Sequence, residues 1–413
     1  MRIAFLDMVF AWPPPGGAQA DLFHTADELQ KMGHEVHLFA AAYEDAWRFG
    51  DFDPADLPYA ATRVPLSPKN FTREGIPAAF REAVDPWQPD AVYVGLMRYM
   101  KPYVIQAFAH KPIISRYYMY EHLCMRDFFL FYAEDVCPND LFQTPDACRR
   151  CALECWQTDI RTGLLRPYAK EFLLAGAHTA EYQRLFAETM QQVDVAIVYN
   201  EMAAGRIADH CDRVEVIPGG VDLGQFNPPE RTPKGAGEKK VILMTGRADD
   251  ASKGMDVLLD AAVGLRQHRD DFELWVTYDD DSLQADWLKN VGWVDYRRMR
   301  ELYAQADICV VPSVWAEPFG IVAVEGMAMG MPVVASRVGG LQHIVVPGET
   351  GYLFDPGSSV DLAFCLDKLL DDPAGGVEMG ARGRERVEQK YTWSTVVQTH
   401  YPPILEHIAG KIR

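Results

Sequence analysis

The string PSVWAEPFGIVAVEGMAMGMPVVASRVGG holds two glutamates, Glu317 and Glu325, with seven residues between them. Pro312-Ser313 closes an apolar run, and Phe319-Gly320-Ile321 opens the helical pattern that carries Glu325. The first turn of a helix has backbone N–H groups without intrahelical partners and the positive end of the helix dipole, a setting for an anionic or hydroxyl-rich ligand. Two carboxylates beside such a turn can each accept from a pair of vicinal hydroxyls, as on a sugar or a ribose. Taken singly, Glu317 reads more simply as a helix cap and Glu325 as a surface acid; the whole string favours a ligand site. A second group, GRADDASKG, sets Arg247 and Lys253 in the loop after an apolar strand. A forked guanidinium and a compact ammonium suit a diphosphate. Alone, the pair reads as a solvated loop; its place at the same sheet edge as Glu317 gives it meaning. The acidic run at Asp279 to Asp281 also reads as a solvated loop, and no metal is assigned to the chemistry.

These groups need a scaffold. With 413 residues, 48% of them hydrophobic, the chain is long enough for two cores, since single cores rarely grow past about 250–300 residues. RIAFLDMVF, the loop AWPPPGGAQAD, a helical DLFHTADELQKMGH and HEVHLFAA follow the strand, glycine loop, helix, strand order of a parallel α/β sheet. DAVYVGL and PIISRYY continue it, and VDVAIVYN and VEVIPGG come later in the same half. A second series runs through KVILMTG, FELWVTY, ICVVPS, PVVASRV and GYLFDP, with helical patterns at GMDVLLDAAVGLRQH, RMRELYAQA and EGMAMG. The predicted architecture is α/β, with two Rossmann-like doubly wound domains facing each other across a cleft. Residues 1–222 form the first domain, with a cysteine-rich insertion near 120–160; 223–240 form an exposed linker and 241–390 the second domain. Residues 391–413 form an amphipathic segment broken by Pro402 and Pro403, packing back on the first domain. A net charge of -19 excludes the nucleic-acid-binding class and argues against broad contact with anionic lipid. The opening MRIAFLDMVFAW lacks a basic leader, and no stretch approaches the ~20 apolar residues of a membrane span, so a cytoplasmic location without a transmembrane segment is expected.

The Gly16-Gly17 loop, the IPGGVD turn from Ile217 to Asp222, Gly246-Arg247 with Lys253-Gly254, GWVDYRRMRELYAQADICVVPS, the Glu317 to Glu325 string and GETGYLFDPG are a specific set. Through them nearly the whole chain resembles the family-four retaining glycosyltransferases of GT-B fold. The resemblance implies a nucleotide-diphosphate-sugar donor and a hydroxyl acceptor. Arg247 and Lys253 would grip the diphosphate, Glu325 the ribose hydroxyls, and Glu317 with the amides of Phe319, Gly320 and Ile321 the transferred sugar. Gly246 and Ser313 would line the donor site, and Gly16 and Gly17 would bring backbone near the phosphates from the other domain. It also implies a metal-independent reaction without a protein nucleophile, in which the leaving phosphate takes the acceptor's proton. A UDP- or a GDP-linked donor is expected, with a glycan, a lipid-linked sugar or a small metabolite as acceptor. An epimerase or phosphorylase of the same fold, or a non-catalytic nucleotide-sugar-binding subunit, are the competing readings.

Several positions depart from the family's pattern. Where relatives place a sugar-touching histidine this chain has Tyr118, six residues before Cys124, with His122 as the other candidate for a sugar or acceptor contact. His343 replaces a usual glutamate, Gly219 a usual asparagine, and TYDDDS a glycine-rich turn. Five of the eight cysteines fall between positions 124 and 155. Cys137, Cys148, Cys151 and Cys155 have the number and kind of ligands for a structural zinc; buried free thiols or a redox pair are the alternatives. The aromatic run at 128 to 132, with Arg149, Arg150 and Trp156, is placed either in an acceptor-shaping lid or in packing.

Overall fold

The computed structural model describes residues 1–44, 50–126, 128–132, 135–162, 169–229, 231–235, 237–247, 250–278 and 285–412; Asp279 to Asp281 lie outside them. The first half opens with β1 (Arg2–Asp7), α1 (Gly17–Lys31), β2 (Glu35–Tyr43), β3 (Ala60–Leu66), α2 (Gly75–Val84), β4 (Ala91–Val94) and α3 (Lys101–Ala107). It continues with β5 (Ile113–Arg116), a short antiparallel ribbon of β6 (Phe131–Tyr132) and β7 (Asp135–Val136), α4 (Pro145–Thr162) and α5 (Ala169–Ala175). Then come α6 (Ala180–Met190), β8 (Val195–Val198), α7 (Glu201–Ile207) and β9 (Val214–Val216). The second half has β10 (Lys240–Met244), α8 (Met255–Leu265), β11 (Phe272–Val276), β12 (Leu288–Asn290), α9 (Met299–Gln305) and β13 (Ile308–Val311). It ends with α10 (Ile321–Ala328), β14 (Val333–Ser336), α11 (Leu341–Ile344), β15 (Gly351–Phe354), α12 (Ser359–Asp371), α13 (Pro373–Lys390) and α14 (Trp393–Ala409).

Contacts divide the chain into two units: Met1–Leu130, Cys137–Pro218 and Val397–Arg413 in one, Phe131–Val136 and Gly219–Val396 in the other. The first unit's sheet is parallel in the order β3-β2-β1-β4-β5-β8-β9, and the second's is parallel in the order β12-β11-β10-β13-β14-β15. Strands covered by helices on both faces must be apolar throughout, which is why β1, β4, β5, β8, β10, β13 and β14 are near-continuous buried runs. Both sheets follow the doubly wound order 3-2-1-4-5-6, so each is Rossmann-like. In each the winding reverses beside its first strand, and ligands of such sheets bind beyond the strand ends at that reversal. In the first unit this place is tied by Asp7, whose two oxygens accept from the backbone N–H of Val9 and of Leu96, each at 2.7 Å. Burial pushes that carboxyl up to about 6.

The first unit also buries an ion pair. Arg116, at the end of β5, donates from Nη2 to Asp21 Oδ2 of α1 at 2.8 Å, with the two side chains 1% and 2% exposed. Its Nη1 donates to the carbonyl of Ile217 at 3.1 Å, and the Tyr199 hydroxyl donates to Asp21 Oδ2 at 2.9 Å.

Three elements differ from the sequence expectation. β3, AATRVPL, breaks the apolar pattern with Arg63 and Pro65, which an edge strand tolerates because one side needs no donor. Residues 402 and 403 do not break the last segment: both prolines lie inside α14. Burial overrides the local preference there, with Tyr401 and Ile404 in the core and the Tyr401 hydroxyl 3.2 Å from that of Tyr93. The expected linker, 223–240, is largely exposed where described but is anchored at two of its residues. Phe226 is fully buried, and Arg231 donates to the carbonyls of Met329 and Tyr303 at 2.7 and 2.9 Å, and to that of Ala306, at the ends of α9 and α10.

Candidate functional site

In the second unit the winding reverses between β10 and β13. The chain leaves β10 as Thr245-Gly246-Arg247, with Gly246 at φ +104°. Two side chains fix this turn: Thr277 Oγ1 donates to the Gly246 carbonyl at 2.8 Å, and Thr245 Oγ1 lies 2.8 Å from the Tyr303 hydroxyl. Arg247, half exposed, has its Nη2 3.2 Å from Asp250 Oδ2. Asp250 in turn accepts from the N–H and hydroxyl of Ser252 at 3.0 and 2.6 Å, which closes the turn that presents Lys253. Gly254 ends that turn at φ +75°, and a Cβ there would lie 1.9 Å from the Pro312 carbonyl, so only glycine permits this approach. The Val314 N–H donates to the Ser252 carbonyl at 2.9 Å, joining the loops after β10 and β13.

This joining gathers three of the residues singled out in the sequence. Lys253 Nζ donates to Glu317 Oε1 at 2.6 Å, Ser313 Oγ donates to the same oxygen at 2.7 Å, and the ammonium sits 4.9 Å above the Trp315 ring. Glu317 is not a helix cap. The helix α10 starts after Gly320 with no side-chain cap, and the Ala323 N–H of its first turn donates to the Gly320 carbonyl at 3.0 Å. Glu325 is not a surface acid either: it is buried, and its Oε2 accepts from the Tyr303 hydroxyl at 2.9 Å. Burial pushes its carboxyl up to about 7, and the Tyr303 hydrogen bond opposes that rise. Tyr303, Thr245, Thr277 and Trp315 were not read as site residues in the sequence. An aromatic at helical spacing reads as core, and only the partners found across the fold distinguish Tyr303.

The Phe319 ring packs on Gly219, where a Cβ would meet ring carbons at 2.8 Å. A side chain at position 219 would have to displace that ring. Gly219→Asn is expected to cost about 1–3 kcal/mol through overpacking, read as a lower urea midpoint; an unchanged midpoint would contradict the packing argument.

The remaining candidates lie in the first unit. Gly16 precedes α1 with extended backbone, and a Cβ there would meet only Gln19 Oε1, at 3.5 Å, so the chain's own packing does not demand glycine. Gly17 is the first residue of α1, which has no side-chain cap. Tyr118 is buried, with no hydrogen-bond partner for its hydroxyl among the described residues. His122 is also buried, and neither ring nitrogen has a partner among them. Burial, with Lys101 nearby, pushes its imidazole down to about 3 and keeps it neutral. Two of the insertion's aromatics pack inward: Trp156 stacks on Phe172 at 4.5 Å, and Phe128 lies 4.6 Å from Tyr99. Cys148, Cys151 and Cys155 share α4, and burial with Cys137 and Cys151 nearby pushes the Cys148 thiol up to about 11. Among the described residues no group of three or more His, Cys, Asp or Glu side chains is placed to hold a metal ion.

Residues 239–372 match the family described as glycosyl transferases group 1. A D-inositol 3-phosphate glycosyltransferase of Pseudarthrobacter chlorophenolicus is 36% identical over 204 residues, 44% of this chain and 48% of that protein. A phosphatidyl-myo-inositol mannosyltransferase of Mycolicibacterium smegmatis is 31% identical over 258 residues, 58% of this chain and 66% of that protein. The chain spans about half the length of the first curated relatives it matches. Among solved structures, HepE of Anabaena in complex with UDP superposes with a TM-score of 0.66 at 18% identity, covering 99% of this chain and 100% of that one. Sucrose-phosphate synthase of Thermosynechococcus elongatus does so at 0.67 and 19%, covering 100% of both. At such identities the likeness establishes the GT-B fold.

Proposed function

Through residues 239–372 the chain belongs to the glycosyl transferases group 1, and on that premise we propose that it transfers a sugar from a UDP- or GDP-linked donor to a hydroxyl acceptor with retention of configuration. The observation that carries this reading is the Lys253–Glu317–Ser313 cluster at the reversal between β10 and β13, with Glu325 buried on α10. Lys253 and Arg247 neutralise the diphosphate, the amides from Phe319 to Ile321 and Glu317 orient the sugar, and Glu325 accepts from the ribose hydroxyls. Sugar transfer is hard because a positive anomeric carbon must part from a diphosphate, so fixed cations and amides aimed at the leaving group do most for the rate. The bond from anomeric carbon to diphosphate breaks, the acceptor oxygen bonds to the same face, and its proton passes to the leaving phosphate oxygen. No metal takes part. The acceptor is a glycan, a lipid-linked sugar or a small metabolite met in the cytoplasm; no helix among the described residues is long and apolar enough to cross a membrane.

Thermal unfolding against a panel of UDP- and GDP-sugars tests the donor. A ligand at about 100 times its Kd adds ~2.7 kcal/mol to the folded state. A shift with one base and sugar, followed by a new glycosidic bond on an acceptor, supports transfer; donor turnover without such a bond turns the reading to an epimerase or phosphorylase. No shift across the panel would overturn it.

Glu325 adds a pH dependence. Its raised carboxyl contributes folding stability below the ordinary value of 4.5 and loses it as pH rises through about 7. Donor binding runs the other way, because ribose hydroxyls donate to the ionised form. Donor affinity is therefore expected to rise roughly tenfold from pH 6 to pH 8 and then level off, measured by calorimetric titration. A flat profile would remove Glu325 from the ribose.

A further inference from the structure

Tyr303 connects two parts of the candidate donor site, and we propose that its hydroxyl is a positioning group that holds Glu325 in register with the Thr245–Gly246–Arg247 turn, so that ribose and diphosphate are recognised together. This rests on the nucleotide-donor reading above. Tyr303, in α9, is fully buried, and its hydroxyl lies 2.9 Å from Glu325 Oε2 and 2.8 Å from Thr245 Oγ1. A phenol has one proton, and an ionised carboxylate can only accept. With Glu325 ionised the direction is fixed: Thr245 donates to Tyr303, and Tyr303 donates to Glu325. The turn is thereby tied at Thr245 through its side chain and at the Gly246 carbonyl through Thr277.

Packing alone does not ask for this hydroxyl. The Tyr303 ring packs edge-on to Phe226, centroids 5.9 Å apart, and a phenylalanine would fill the same space. A buried carboxylate is costly without a donor, and the phenol is the donor that α9 brings to it. The other titratable groups facing Glu325 are Tyr296, before α9, and Cys309, on β13. Burial and the nearby carboxylate hold both protonated, so neither titrates in the neutral range. Asp222 acts on Tyr296, helping to keep that phenol protonated.

The test is Tyr303→Phe in the full chain, with steady-state kinetics and donor titration from pH 5.5 to 9. KM for donor should rise about tenfold near pH 7, as for loss of a hydrogen bond to a charged group, while kcat changes less than about threefold. The pH midpoint of donor affinity should move upward, with affinity recovering toward pH 9. Thr245→Val should move the midpoint the same way by less, and Thr245→Ser, which keeps the hydroxyl, should restore it; this pair decides the matter if Tyr303→Phe does not fold. An unmoved midpoint, or equal losses in kcat and KM at every pH, would overturn the inference. Wild-type protein that binds no donor at any pH would instead overturn the underlying reading.

Discussion

Glu317→Ala is expected to lower kcat/KM for sugar transfer about a thousandfold, or ~4 kcal/mol of transition-state stabilisation, with little change in the unfolding midpoint. One oxygen of Glu317 receives both the Lys253 ammonium and the Ser313 hydroxyl, at 2.6 and 2.7 Å. Removing it frees the ammonium to swing on its four-carbon stem, so the charge meant for the leaving diphosphate is no longer held in place. It also removes the acceptor proposed for the sugar hydroxyls. Glu317→Gln keeps the shape and one acceptor oxygen and should fall between wild type and alanine. Steady-state rates with saturating acceptor decide it; activity within threefold of wild type would sink the assignment.

The second large effect is on stability. Asp21→Ala leaves Arg116 charged in a site where its side chain is 1% exposed, which should cost about 3–5 kcal/mol. Tyr199 would lose its acceptor as well. Urea unfolding should show a clearly lower midpoint, and Asp21→Ala combined with Arg116→Met should recover most of the loss, because the expense lies in the unpaired charge. A loss below about 1 kcal/mol would mean that water reaches the guanidinium.

The two predictions differ in how far the sequence foretells them. Ser313, Glu317 and Glu325 stand in a dense string of glycines, prolines and apolar residues, and Lys253 in the loop after the apolar KVILM; both follow strand ends, where α/β sheets bind ligands. Asp21 and Arg116 are separated by 95 positions, and nothing in the residues around either marks them as a pair. Tyr303 fell between these cases: its helix was legible from RMRELYAQA, but its hydroxyl acquires a role only when β10 and α10 come alongside. Buried parallel strands were plain as apolar runs. β3 was not, since Arg63 and Pro65 disguise an edge strand, and β12 has only three residues. The prolines of α14 pointed to a break because local propensity cannot see Tyr401 buried beside Tyr93. For the cysteines, count and type are visible in a sequence while their convergence on one point is not.

Thr245, Lys253, Tyr303, Ser313, Glu317 and Glu325 all lie within Gly219–Val396, which forms nearly all of one contact unit. The family match falls within the same stretch, at residues 239–372. Heredity can therefore carry these six residues as one cassette. A recombination that exchanges the preceding 218 residues removes none of the six, so a lineage can diversify there while this segment passes on unchanged.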